Sequence, residues 1–142
     1  MKALKFMRFA EAAASLSKDK STQVGAVALD DNYNILATGY NGMPRGVNDD
    51  VPERHERPEK YLWTSHAEEN LVAQSAYSGR SLKGSTVLVS ALFPCATCAR
   101  MLIQAGVRRV IAPHAKSNAR WAEQNEVAAT MFNEAGVEVI EI

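Results

Sequence analysis

Cysteine is scarce in this sequence: its two copies, Cys95 and Cys98, stand in one run, Phe93-Pro94-Cys95-Ala96-Thr97-Cys98. A pair that close is no long-range disulfide framework, and a reducing, cytoplasmic setting fits it best. Net charge is also missing, because 16 basic and 16 acidic residues cancel. Without a basic excess there is no strong electrostatic footprint for DNA or RNA, so no nucleic-acid partner is expected. No apolar run approaches the roughly 20 residues of a membrane span, so no membrane partner is expected either. The N-terminus begins like a signal peptide, but Lys5, Arg8 and Glu11 interrupt its apolar stretch. Repeats, low-complexity tracts and interdomain linkers are absent too. What is there is a chain of 142 residues, 46% of them hydrophobic. That suffices for a real core, and residues 1–142 read as one domain.

The pattern along the chain predicts alternating elements. Leu4, Met7, Phe9, Ala10, Ala13 and Ala14 form a helical stripe between Ala3 and about Leu16. Residues 23–29 and 35–40 read as two strands of a hairpin around the turn cluster Asp30-Asp31-Asn32-Tyr33-Asn34. Residues 43–60 form a long polar stretch with three prolines, of the kind that is functional or disordered in compact domains. A helix is predicted from His66 to about Tyr77 and a buried strand over 85–92. Pro94 then opens a helix that Gly106 stops. A strand over 107–112, a helix over 119–134 and a strand over 137–142 complete the order α-β-β-α-β-α-β-α-β. The fold class is α/β, with a mixed five-stranded sheet, the first two strands antiparallel, the later ones parallel, and helices on both faces.

The chemistry-bearing residues cluster at two helix starts. Cys95 and Cys98, three apart at the start of a helix, lie on one face and can grip one ion. The positive helix end favours their thiolates, the form that binds zinc. His66 opens the other helix as part of Thr64-Ser65-His66-Ala67-Glu68. Three protein ligands leave a tetrahedral Zn²⁺ with one open position, as a catalytic site requires, and such a zinc lowers the pKa of a bound water. Glu68 can face that position without being a ligand, because side chains of a first turn tilt back past the helix end. Glu69, three residues from His66, competes with it on spacing alone. Blander readings exist for each part. A lone Cys-x-x-Cys is often a buried small pair or a redox pair, and a structural zinc could draw a fourth ligand from His55 or His114. The conjunction H-x-E, strand, P-C-x-x-C is a different matter, since it resembles the general signature of zinc-dependent nucleobase deaminases.

The resemblance extends beyond the ligands. Ser17-Lys18-Asp19, Gln23-Val24-Gly25-Ala26, Gly39-Tyr40-Asn41-Gly42-Met43-Pro44, Asp49-Asp50, Ala91-Leu92-Phe93-Pro94-Cys95 and Ile103-Gln104-Ala105-Gly106 are similar to the deoxycytidylate (dCMP) deaminase family. The similarity covers about residues 17–112 and the closing Phe132 to Val137. It implies a cytidine deaminase-like three-layer α/β/α sandwich and hydrolysis of dCMP to dUMP and ammonia, supplying dUMP for dTMP synthesis. Cytidine, guanine and tRNA adenosine deaminases share variants of the zinc signature, so another small base, nucleoside or nucleotide is the alternative substrate. The resemblance also implies His66, Cys95 and Cys98 as ligands of one Zn²⁺ and Glu68, rather than Glu69, as the proton shuttle. Asn41, Ala67, Lys18 and Ser17 are expected at the substrate, with Lys20, Arg45 and Ser21 as further phosphate candidates. Such enzymes are often homo-oligomers, commonly hexamers, activated by dCTP and inhibited by dTTP. Gly42, Met43, Arg45, Asn48 and Asp49 are the expected effector residues, and Mg²⁺ would enter with the triphosphate. Two departures stand out. Glu69 is charged where the family is commonly apolar, and no cysteine is spare for a second, structural zinc.

Overall fold

A computed structural model describes all 142 residues. Its centre is a five-stranded sheet in the order β2-β1-β3-β4-β5. The strands are β1 (Gly25–Leu29), β2 (Ile35–Tyr40), β3 (Thr86–Val89), β4 (Arg109–Ala112) and β5 (Glu138–Glu141). β1 pairs antiparallel with both β2 and β3, whereas β3, β4 and β5 run parallel. Parallel neighbours need crossovers, and α4 (Ala96–Gln104) and α5 (Ala122–Glu134) supply them. The mixed sheet expected from the sequence is therefore the sheet observed.

Alternation along β1 divides the core into two layers. Ala26 and Ala28 belong with Leu71, Leu102 and Phe132, which come from α3 (Ala67–Ser78), α4 and α5. Val27 and Leu29 face the other way and meet Met7 and Ala10 of α1 (Met7–Ala14). One helix thus covers one face of the sheet and three cover the other. β1 is wholly buried, GAVAL, with small residues that let helices come close on both sides. Gly25 is one such point: a Cβ there would lie 1.8 Å from the Ala10 carbonyl oxygen of α1.

Element ends differ from the sequence expectation where side chains replace the ladder. The first helix begins as a 3-10 turn, Lys2–Phe6, before α1. β1 starts at Gly25 rather than residue 23, because the Val24 N–H is taken by Asn41 Oδ1 at 2.9 Å. β3 stops at Val89, where Ser90 Oγ accepts the Gly25 N–H and Ala91 turns the chain at φ 66°. The long polar stretch contains a 3-10 turn, Pro52–His55, and α2 (Lys60–Trp63) follows it. Another 3-10 turn, Ala119–Trp121, precedes α5.

Candidate active site

Two helices begin at the same place. His66 is the N-cap residue of α3 and Cys95 that of α4, each with an extended backbone. Cys98 follows on the third residue of α4, so its thiol turns back toward the helix start. His66 Nδ1 lies 3.3 Å from Cys98 Sγ and 3.5 Å from Cys95 Sγ. All three donor atoms fall within 4.8 Å of one another. A tetrahedral zinc with its usual bonds to sulfur and nitrogen sets such donors roughly 3.6 Å apart. One imidazole and two thiols at these distances fit Zn²⁺, and no further cluster of three metal-ligating side chains accompanies them.

The carboxylates of α3 diverge. Glu69 accepts the His66 N–H at 2.8 Å, closing the helix start with its own side chain. Glu68 is 5% exposed and lines a pocket of about 260 Å³ together with His66 and Cys95. Burial pushes the Glu68 carboxyl up to about 7, with its own backbone N–H and His66 pulling the other way. The hydrogen bond with Cys98 holds the Cys95 thiol down at about 4, assisted by His66 and opposed by burial. Cys98, hydrogen-bonded to that thiolate and itself buried, is pushed up. Cys95 in turn lifts His66 to about 9, against its partial burial. An ionised thiolate and a carboxyl poised near neutrality share one pocket.

The remaining expected residues fall into three groups. Ala67 is fully buried and lines the pocket beside Glu68. Asn41 lines it too, but its carboxamide serves the backbone, accepting from Val24 N and donating to Thr22 O at 2.9 Å. Ser17, Lys18, Lys20, Ser21 and Arg45 do not reach this pocket. Ser17 Oγ donates to Asn41 O at 2.8 Å, and Lys18 pairs with Asp49 and Asp50 at 2.9 and 3.3 Å. The Arg45 guanidinium sits 4.1 Å over the Tyr77 ring. Of the effector candidates, Gly42, Met43 and Asp49 line a second hollow of about 90 Å³ together with Lys18 and His55. Arg45 and Asn48 are outside it, and the Asn48 amide oxygen accepts the Asp50 N–H at 3.0 Å.

Sequence reasoning missed Arg57, Lys60, Tyr61, Arg120, Trp121 and Asn125, all in the wall of the pocket that Glu68 lines. Lys60 is 8% exposed and held by Asp19 at 3.1 Å. Nothing local marks these residues, because a charge in a polar loop reads as solvated until the loop is folded over a pocket. The one usable signal was proline. Pro52 opens the 3-10 turn that precedes α2, which delivers Lys60 and Tyr61.

Comparison with known proteins agrees with this geometry. The family model for the cytidine and deoxycytidylate deaminase zinc-binding region matches residues 1–114. An uncharacterized deaminase of Aliivibrio fischeri is 43% identical over 139 residues, 96% of this chain and 90% of that protein. Human deoxycytidylate deaminase is 38% identical over 137 residues, 93% of this chain and 74% of that one. The cyanophage S-TIM5 dCMP deaminase, solved in complex with dCMP and dUMP, superposes with a TM-score of 0.78 at 29% identity, covering 99% of this chain and 96% of that one.

Proposed function

The chain belongs to the cytidine and deoxycytidylate deaminase family, and from that premise we propose that it hydrolyses dCMP to dUMP and ammonia. The observation that carries this reading is the buried Glu68 carboxyl in one pocket with the His66, Cys95 and Cys98 donor set. His66, Cys95 and Cys98 would hold the zinc, whose contribution is Lewis-acid activation of a water for attack at C4 of the cytosine ring. Glu68 then has three duties. It accepts one proton from the attacking water and passes it to ring N3, then accepts the second proton of that oxygen and delivers it to the departing amine. Its carboxyl, held at about 7 by burial, exchanges protons in both directions near neutral pH. Ala67, fully buried at the head of α3, packs that turn against the sheet and keeps Glu68 in place. Asn41 supports the substrate side by tying residues 22–24 to the end of β2.

The product dUMP suits a role in supplying dTMP synthesis, and the cysteine usage suits a cytoplasmic setting. No helix is long and apolar enough to cross a membrane. Control by dCTP and dTTP, in a homo-oligomer, belongs to the same reading. The small hollow of Gly42, Met43 and Asp49 supports it by sharing Asp19, Asn41, Lys60 and Thr64 with the catalytic pocket. Ultraviolet assays on the zinc-loaded protein test the substrate, with dCMP, deoxycytidine, cytidine and guanine in parallel. Turnover of dCMP must lead; faster turnover of cytidine or guanine would reject the assignment. Adding dCTP and dTTP must shift the dCMP curve, and hyperbolic kinetics indifferent to both would end the regulatory part.

A further inference from the structure

The chain holds two cysteines, and both are free. Their motif, Cys95-Ala96-Thr97-Cys98, serves the metal reading but is equally the spacing of a redox dithiol. The fold gives the two thiols unequal access. Cys95, the N-cap residue of α4, is half-buried and lines the same pocket as Glu68. Cys98 is 0% exposed and does not line it. A small solute entering the pocket therefore reaches Cys95 and not Cys98.

The geometry brings the two sulfurs together. They lie within 4.8 Å of each other, and the thiols hydrogen-bond to one another. A disulfide needs Cα atoms within about 7 Å and Cβ atoms about 3.5–4.5 Å apart. Positions three apart on a helix start from Cβ separations of about 5–6 Å, so a small closure suffices. Cys95 supplies it, because it stands before the helix proper, at φ −70° and ψ 173°. Its side chain can turn toward Cys98 while its carbonyl keeps the Ala99 N–H at 2.8 Å. No third cysteine offers either sulfur another partner in the chain.

We propose that Cys95 and Cys98 form a reversible disulfide in the zinc-free chain when a hydroperoxide enters the pocket, and that this bond closes the site to metal. The inference goes beyond the deaminase reading and rests only on the donor set. The Cys95 sulfur attacks one oxygen of hydrogen peroxide, the O–O bond breaks, and Cys95 becomes a sulfenic acid with release of one water. The Cys98 sulfur then attacks the Cys95 sulfur, the S–O bond breaks, and the hydroxyl leaves as a second water with the Cys98 thiol proton. Two thiols lose two electrons, and the peroxide gains them. A dithiol reductant returns both electrons and both protons by exchange through a mixed disulfide. The oxidised pair offers no thiolate to a metal, so His66 remains as a lone donor. In the metal-loaded chain both sulfurs are engaged as ligands, and neither is free to attack the peroxide. Metal loading and oxidation thus exclude each other.

The test uses the full chain, either loaded with zinc or stripped by a chelator, and stoichiometric hydrogen peroxide. Thiol titration of the stripped chain should fall from two free thiols to none, and its intact mass should drop by two hydrogens without a covalent dimer. Competition titration of the treated chain should show zinc affinity lowered by more than the roughly 10–100-fold that loss of a partner behind a ligand costs. Dithiothreitol should restore both the thiols and the affinity. The loaded chain should lose its thiols at least about tenfold more slowly, because its sulfurs are not accessible to the oxidant. Cys98→Ser, stripped in the same way, should stop at the sulfenic acid, which dimedone traps. Thiols that survive in the stripped wild type, oxygen gained in place of hydrogens lost, equally fast oxidation of the loaded chain, or unchanged zinc affinity after treatment would each overturn the proposal. None of these readouts involves dCMP turnover. A chain that oxidises as described and leaves dCMP untouched keeps this inference and loses the deaminase reading, and dCMP turnover beside an inert dithiol does the reverse.

Discussion

At the start of α3, Glu69 accepts the His66 N–H at 2.8 Å, and that bond occupies the carboxylate that spacing alone could not separate from Glu68. Glu68 is left buried, raised to about 7, and facing the pocket. The pair gives opposite variants. Glu68→Gln should keep its zinc, measured by atomic absorption, and lose dCMP turnover by about 10²–10⁴-fold, the usual share of a general acid–base group. Glu69→Ala, which removes the acceptor of the His66 N–H, should retain turnover within a few-fold and lower thermal stability by about 1 kcal/mol, the scale of a helix cap. Asp19 carries the acid-side dependence. Its burial raises the pKa, but the Thr22 and Ser21 N–H groups and Lys60 outweigh that and hold it below the ordinary value of 3.8. A depressed carboxylate stabilises the fold fully above its unfolded pKa, and that stability is lost as pH falls through the lower folded value. Asp19→Asn should therefore be less stable than wild type at pH 7 in urea unfolding, because Lys60 loses its buried partner. The gap should close below about pH 4, and a gap that widened in acid would contradict this account.

At the scale of elements, α3 lies so close to β2 that backbone meets backbone. A Cβ on Gly39 would stand 2.4 Å from the Ala67 oxygen and 2.5 Å from the Leu71 nitrogen. Ala67 and Leu71 belong to the turns that carry Glu68, so this contact sets how deep α3 sits. Gly39→Ala should cost about 1–3 kcal/mol in chemical denaturation and reduce zinc retention, because α3 must lift. Gly42→Ala, whose Cβ would meet nothing nearer than the Tyr40 ring at 3.8 Å, should stay within about 0.5 kcal/mol of wild type. Periodicity showed both helices and the strands between them, because those segments are long and their apolar residues regular. It overran β3, expected to Leu92 and observed only to Val89. The cause is a long-range bond from Gly25 N to Ser90 Oγ, which no local pattern encodes. For the same reason α2 was read as loop: four residues are too few to show a period.

Across the whole molecule, the metal donors join α3 to α4, whose buried residues Leu71 and Leu102 share one core. An ion bound by the folded chain alone stabilises it by mass action. Treatment with a chelator should abolish dCMP turnover and lower the melting temperature by several degrees, and added Zn²⁺ should restore both. A melting curve unmoved by chelation would mean that the donor set does not bind metal in the folded state. The α/β order and the H-x-E and P-C-x-x-C runs are legible in the residues alone, because each depends on periods or spacings within one segment, and the mixed sheet follows from that order. The tertiary structure buries Glu68 in the pocket wall while Glu69 caps the helix, turns Lys18 and Arg45 away from the pocket, and brings Arg57, Tyr61 and Arg120 into it. Those outcomes depend on distances between segments remote in the chain, such as the 59 residues that separate Tyr61 from Arg120. Residue type and local spacing carry no record of such distances until the sheet has placed the loops around one pocket.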